Sequence, residues 1–140
     1  MRVSLFVEHP VPRPWSATSE QQVLSESLEQ LALADQVGFH GVWVTEHHFS
    51  GYGSIGVPSV YAAGIAQRTR RIRIGYGVAV VPLHHPLRLA EEISWVDHMS
   101  RGAGTPALAS RDGNARPRAR GGDRYFADTL RRLGDRNDRR

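Results

Sequence analysis

The chain has 140 residues, 40% of them hydrophobic and 23% charged, with no cysteine and no lysine. That length supports one domain with a core, but a complete eight-stranded α/β barrel needs ~250 residues. A disulfide framework and thiolate metal sites are excluded, and no apolar run approaches the ~18 residues of a membrane-spanning helix.

The net charge of +4 is unevenly spread. Residues 1–100 hold 7 Arg against 9 acids, residues 101–140 hold 11 Arg against 5 acids, and all seven His fall in the first part. The amino end has too short an apolar stretch for a signal peptide. A cytoplasmic protein without a membrane partner is the expectation.

Val3 to Val7 reads as the first strand, ended by Glu8 and His9. Pro10, Pro12 and Pro14 then impose an extended loop. Ser19 with Gln22 three residues on has the form of a capping box. Leu24, Leu28, Leu31 and Ala34 follow at helical spacing, with Glu26, Glu29 and Asp35 on other faces, and Gly38 is a natural stop. Gly41 to Thr45 reads as the second strand, with the β-prone run Val42, Trp43, Val44 at its centre. Polarity changes abruptly at Glu46, His47 and His48, and a Gly-rich loop follows.

Pro58 suits the first turn of the next helix, whose Val60, Ala63, Gly64 and Ala66 are small enough to lie close on a sheet. Arg68, Arg70 and Arg71 at its carboxyl end read as a solvated, dipole-favoured cluster and not as a nucleic-acid site. The third strand is expected from about Ile72 to Val81. Its glycines Gly75 and Gly77 imply a bulge or a close approach by another group. Pro82 closes that strand, His84 and His85 lie beyond it, and Pro86 opens a helix with Ala90, Ile93 and Val96 inward.

Strand–helix repeats three times, at spacings that suit parallel crossovers. Each strand's carboxyl end carries Glu or His, and parallel topology brings the three ends to one rim, where α/β folds build their sites. Any one of these imidazoles, alone, reads as a loop hydrogen bond; the three ends together read as a group. After Gly102 the apolar periodicity is lost. Residues 103–140 read as a basic, disordered or frameshifted tail, with a nucleic-acid arm as the other reading.

Gly51, Gly53 and Gly56 match GxGxxG in form. A dinucleotide fingerprint needs its first glycine at the strand end and an acid ~20 residues on, and neither holds here. Glu46 with His9, His47, His48, His84 and His85 could be considered as metal ligands. Adjacent side chains on an extended segment point apart, however, so His47 and His48 would hardly share one ion. A titrating imidazole near a redox or carbonyl centre fits better.

Three segments carry a family resemblance. Gly38 to Phe49 (GFHGVWVTEHHF) resembles the second-strand signature of the bacterial luciferase-like flavin monooxygenases. Ile74 to Pro82 (IGYGVAVVP), with His85 to Arg88, resembles their third strand and the following helix entry. Glu91 to Gly102 (EEISWVDHMSRG) resembles the helix before their fourth strand.

The resemblance implies an α/β fold made of the first three βα units of a TIM (β/α)8 barrel, truncated, with residues 1–102 as the partial barrel domain. It implies reduced FMN as cofactor, or a deazaflavin, and insertion of oxygen into a small organic substrate, with a flavin reductase and a dimer partner as companions. His47 matches the family's active-site histidine; His48 and Glu46 match its neighbours. Gly77 and Val78 match the peptide bond, often a non-proline cis bond, that supports the flavin ring. Flavin phosphate in such barrels usually sits on late loops, and no late strand–helix unit is recognisable after Gly102. A frameshift or truncation near codon 102 would account for that. Two other classes stand beside the flavin enzyme: a non-catalytic barrel fragment acting as an interaction piece, and a small dinucleotide-binding α/β domain.

Overall fold

A computed structural model describes residues 1–101. The expected tail, 103–140, lies outside the described residues. The elements are β1 (Ser4–Val7), α1 (Ser19–Gln36), β2 (Gly41–Val44), α2 (Pro58–Arg68), β3 (Arg73–Tyr76), a 3-10 turn (Val81–Leu83) and α3 (Pro86–Met99). The three strands form one parallel sheet in the order β1-β2-β3. Phe6 pairs with Trp43, and Trp43 with Gly75. Among the described residues, no helix is long and apolar enough to cross a membrane.

Side chains alternate across a strand, so this register sorts the sheet into two faces. Val42, Val44, Ile74 and Tyr76 point to the helices and join Leu31, Ala62, Ile65, Leu89 and Val96 in the core. The other face carries Phe6, Trp43, Gly75 and Gly77, and Phe6 is 59% exposed. Burying the core side chains contributes ~1.5–3 kcal/mol for each large aliphatic one. Stability therefore rests on the helix-covered side.

α1 buries Leu31 and Ala34 and stops as its sequence implies. Gly38 has φ +92°, and Phe39 N–H reaches back to the Ala34 carbonyl, a Schellman-type closure. Two expectations for this helix fail. The Ser19–Gln22 capping box does not form: Thr18 occupies the cap position without a side-chain cap bond, and Ser19 Oγ accepts from Ser16 N–H instead. Asp35 is buried, not on an outer face. Its carboxylate accepts the N–H groups of Arg70, Arg71 and Ile72, which lead into β3. Burial raises its pKa, but these three bonds and the Arg71 charge bring it below the usual carboxylate value. Arg71 in turn donates to the Asp35 and Gln36 carbonyls at the α1 carboxyl end. It is thus a helix-end clamp, at the end of the sheet where β2 and β3 begin.

In α2, Pro58 does open the helix, but Val60 is 70% exposed. The face against the sheet is Tyr61, Ala62, Ile65 and Ala66. β3 is shorter than expected, ending at Tyr76 and not near Val81. The ladder's last bond is Gly77 N–H to the Val44 carbonyl. The Gly77–Val78 peptide is cis, and Val80 N–H is taken by the Glu46 carboxylate, so the chain leaves the sheet for the 3-10 turn. Gly75 is explained by a neighbour: a Cβ there would lie 2.8 Å from the Trp43 indole. The close approach read from the sequence is therefore made by a side chain of β2.

Candidate functional site

The carboxyl ends of the parallel strands do meet at one rim, and Glu46 joins those of β2 and β3. It lies two residues past the end of β2, and its side chain has no exposed surface. Oε1 accepts from His48 Nε2 at 2.7 Å and from His84 Nε2 at 2.8 Å, while Oε2 accepts from Val80 N–H at 2.6 Å. An ionised carboxylate only accepts, so both imidazoles carry their proton on Nε2. Burial pushes the Glu46 pKa up; the Val80 amide and the two imidazoles outweigh it, and the carboxyl ionises below its usual range. One buried anion thus ties the ends of β2 and β3 together.

His47 turns away from this cluster, as neighbours on an extended segment should. Its backbone N–H bonds the Ile55 carbonyl. Its ring stands edge-on to Tyr52, centroids 5.5 Å apart. Its Nε2 is buried and has no hydrogen-bond partner among the described residues. Gly53 makes this seat available: a Cβ there would fall 2.5 Å from His47 Cδ2 and 2.8 Å from the Glu8 carbonyl. Glu8, just past β1, raises the Tyr52 pKa.

His9, also at the end of β1, does not join the group around Glu46. It has φ +56° and its Nε2 is buried against Ser27 Oγ of α1 and Tyr61 Oη of α2, the latter at 3.0 Å. Burial lowers its pKa. Its position pins two helices to the rim. His85 caps α3 in position only, with no side-chain bond, and is exposed. Ser27, Tyr52 and Tyr61 escaped the sequence reading, since each is an ordinary helix or loop residue until the fold gives it a neighbour; Gly53 stood there only as part of the GxGxxG form. Among the described residues no group of three or more His, Cys, Asp or Glu could hold a metal ion.

A parallel α/β sheet with a buried carboxylate and clustered imidazoles at its carboxyl rim defines a class: α/β proteins that build their site at the strand ends. The family profile described as luciferase-like monooxygenase matches residues 1–133. The chain belongs to that family.

The match runs beyond residue 102, so much of the basic tail falls within its span. The chain is 43% identical over 79 residues to 4-hydroxyprotoasukamycin monooxygenase of Streptomyces nodosus subsp. asukaensis, covering 56% of this chain and 21% of that protein. It is 34% identical over 102 residues to the oxygenase component of flavin-dependent trigonelline monooxygenase of Acinetobacter baylyi, covering 73% and 28%. The oxygenating constituent of 3,6-diketocamphane monooxygenase from Pseudomonas putida, solved with FMN, superposes with TM-score 0.67 at 23% identity, over 93% of this chain and 37% of that one. The chain therefore spans about a quarter of the length of these curated relatives.

A flavin is what the family implies at this rim, and the residues present suit one. The buried, unpartnered Nε2 of His47 is available to a ligand. Gly77 packs without a side chain beside the open face: a Cβ there would crowd Phe6 at 3.2 Å and Trp43 at 3.4 Å.

Proposed function

We propose that residues 1–102 are the first three strand–helix units of a (β/α)8 barrel and form the flavin-facing rim of an FMN-dependent monooxygenase that acts on a small organic substrate. The observation that carries this reading is the division of labour after β2. Glu46 gathers His48, His84 and the Val80 amide, and His47 is left beside them with a free ring nitrogen. The relative named flavin-dependent and the superposed FMN complex support the choice of cofactor. That relative is an oxygenase component, which supports a separate reductase as partner.

Reduced flavin, when bound, would supply the electrons for oxygen activation. This chain's own groups would do the rest. The Gly77–Val78 backbone would support the ring. His47 Nε2 would hold or deliver a proton at the reacting face. Glu46 would fix the loop that carries His47 by binding the residues on either side of the rim. Imidazole suits that proton role because it exchanges near neutral pH.

The test is a titration of the full chain with FMN, with a deazaflavin and with NADPH, followed by His47→Ala. FMN retention is expected, with turnover in the reductase-coupled assay falling about 10²–10⁴-fold in the variant and the unfolding midpoint unchanged. Retention of NADPH alone would favour a dinucleotide domain. Retention of no cofactor would favour a non-catalytic interaction piece.

A further inference from the structure

The loops that leave β1 and β2 enclose a cleft of about 670 Å³ that the roles given to Glu46 and Gly77 do not use. Its apolar walls include Val11, Trp15, Phe49 and Val57, and its polar lining includes His47 and Ser54. Trp15 is fixed in place: its indole N–H donates to the Val11 carbonyl at 3.1 Å, and the Arg13 guanidinium lies 4.6 Å from its ring centroid. Phe49 has φ +51° and leaves its ring fully exposed.

Two of the lining residues, Ser54 and His47, each carry an unpaired polar atom. Ser54 Oγ and His47 Nε2 are both buried and both lack a hydrogen-bond partner among the described residues. Buried polar atoms are nearly always paired, so two on one cleft mark a place for a ligand's hydrogen-bonding group. The first turn of α1 also lines the cleft. Its hydroxyls are already engaged with one another, Ser16 with Ser19 at 3.0 Å and with Thr18 at 3.2 Å, and Glu20 adds a negative charge there. That end therefore does not favour an anion.

We infer that this cleft binds an uncharged, flat, largely apolar organic molecule carrying one hydroxyl or carbonyl oxygen. Its ring lies against Trp15 and Phe49, and its oxygen takes up the bonding capacity left on Ser54 and His47. The volume falls within the ~300–1,000 Å³ usual for small-molecule sites. The inference rests on the proposed function only in making this molecule the substrate; binding itself needs no flavin.

The experiment is equilibrium dialysis of the flavin-free full chain against 2-naphthol, naphthalene and 2-naphthoate. 2-Naphthol is expected to bind about three- to tenfold more tightly than naphthalene, and more tightly than the carboxylate. Trp15→Ala and Phe49→Ala are each expected to weaken it about fivefold. Both side chains are largely exposed, so these variants keep the fold, which circular dichroism checks. Ser54→Ala is expected to narrow the gap between 2-naphthol and naphthalene.

Equal wild-type affinities for 2-naphthol and naphthalene would overturn the inference. So would a preference for the carboxylate, or unchanged binding in both aromatic variants, or no retention of any probe. Retention of FMN with no probe bound would sink the cleft and leave the oxygenase reading standing; the reverse result would do the opposite.

Discussion

Glu46 shows how one side chain can be expensive to bury and still hold a site together. A carboxylate with no exposed surface would ordinarily be pushed toward its neutral form. Three donors reverse that, and the folded-state pKa lies below the ordinary 4.5. A depressed carboxyl pKa contributes stability that is present above the unfolded-state value and is lost as pH falls through the folded-state one. Glu46→Gln should therefore destabilise the chain by about 1–3 kcal/mol at neutral pH, because a neutral amide cannot accept from all three donors. The gap to wild type should shrink on acidification below about pH 4. Urea melts at a series of pH values measure it. A gap that is flat with pH would mean that the charge of Glu46 does not hold the rim together.

At the scale of elements, the joint between α1 and β3 depends on Asp35. Replacing it with Ala leaves the N–H groups of Arg70, Arg71 and Ile72 without their acceptor and removes a partner of Arg71. A loss of about 2–4 kcal/mol is expected, read from the denaturant midpoint. Asp35→Asn should recover part of it, because an amide oxygen still accepts. An Ala variant as stable as wild type would show that water replaces the carboxylate.

The same joint shows what the sequence could and could not reveal. Leu31, Ala34 and the Gly38 stop were legible because helical period and glycine conformation are local properties. Asp35 looked like a surface acid because its three donors lie 35 to 37 positions along the chain. β3 was read too long for a related reason. Gly75 to Val81 has strand composition, but Val80 N–H bonds the Glu46 carboxylate and not a neighbouring strand. The rim of Glu and His was legible, since parallel order alone brings strand ends together. The separation of His9 from that rim was not, because Ser27 and Tyr61 reach it only through the packing of α1 and α2.

For the whole molecule, the two faces of the sheet are unequal. Helices cover one, where Val42, Val44, Ile74 and Tyr76 are buried. The other presents Phe6 and Trp43, and β1 and β3 each have one strand neighbour among the described residues. The three parallel strands of the described residues cannot close on themselves, and an edge left open beside exposed aromatic surface invites pairing with another strand. Purified protein should therefore self-associate with rising concentration, seen in light scattering as a mass at or above twice the monomer. Phe6→Arg should shift the equilibrium toward monomer. Phe6 is 59% exposed, so the substitution places its charge on the open face and leaves the helix-side core intact. Far-ultraviolet dichroism of the variant should match wild type. If both forms remain monomeric across the range, the aromatic face is not a contact surface. If both associate equally, the strand edges dominate, and blocking them becomes the next step.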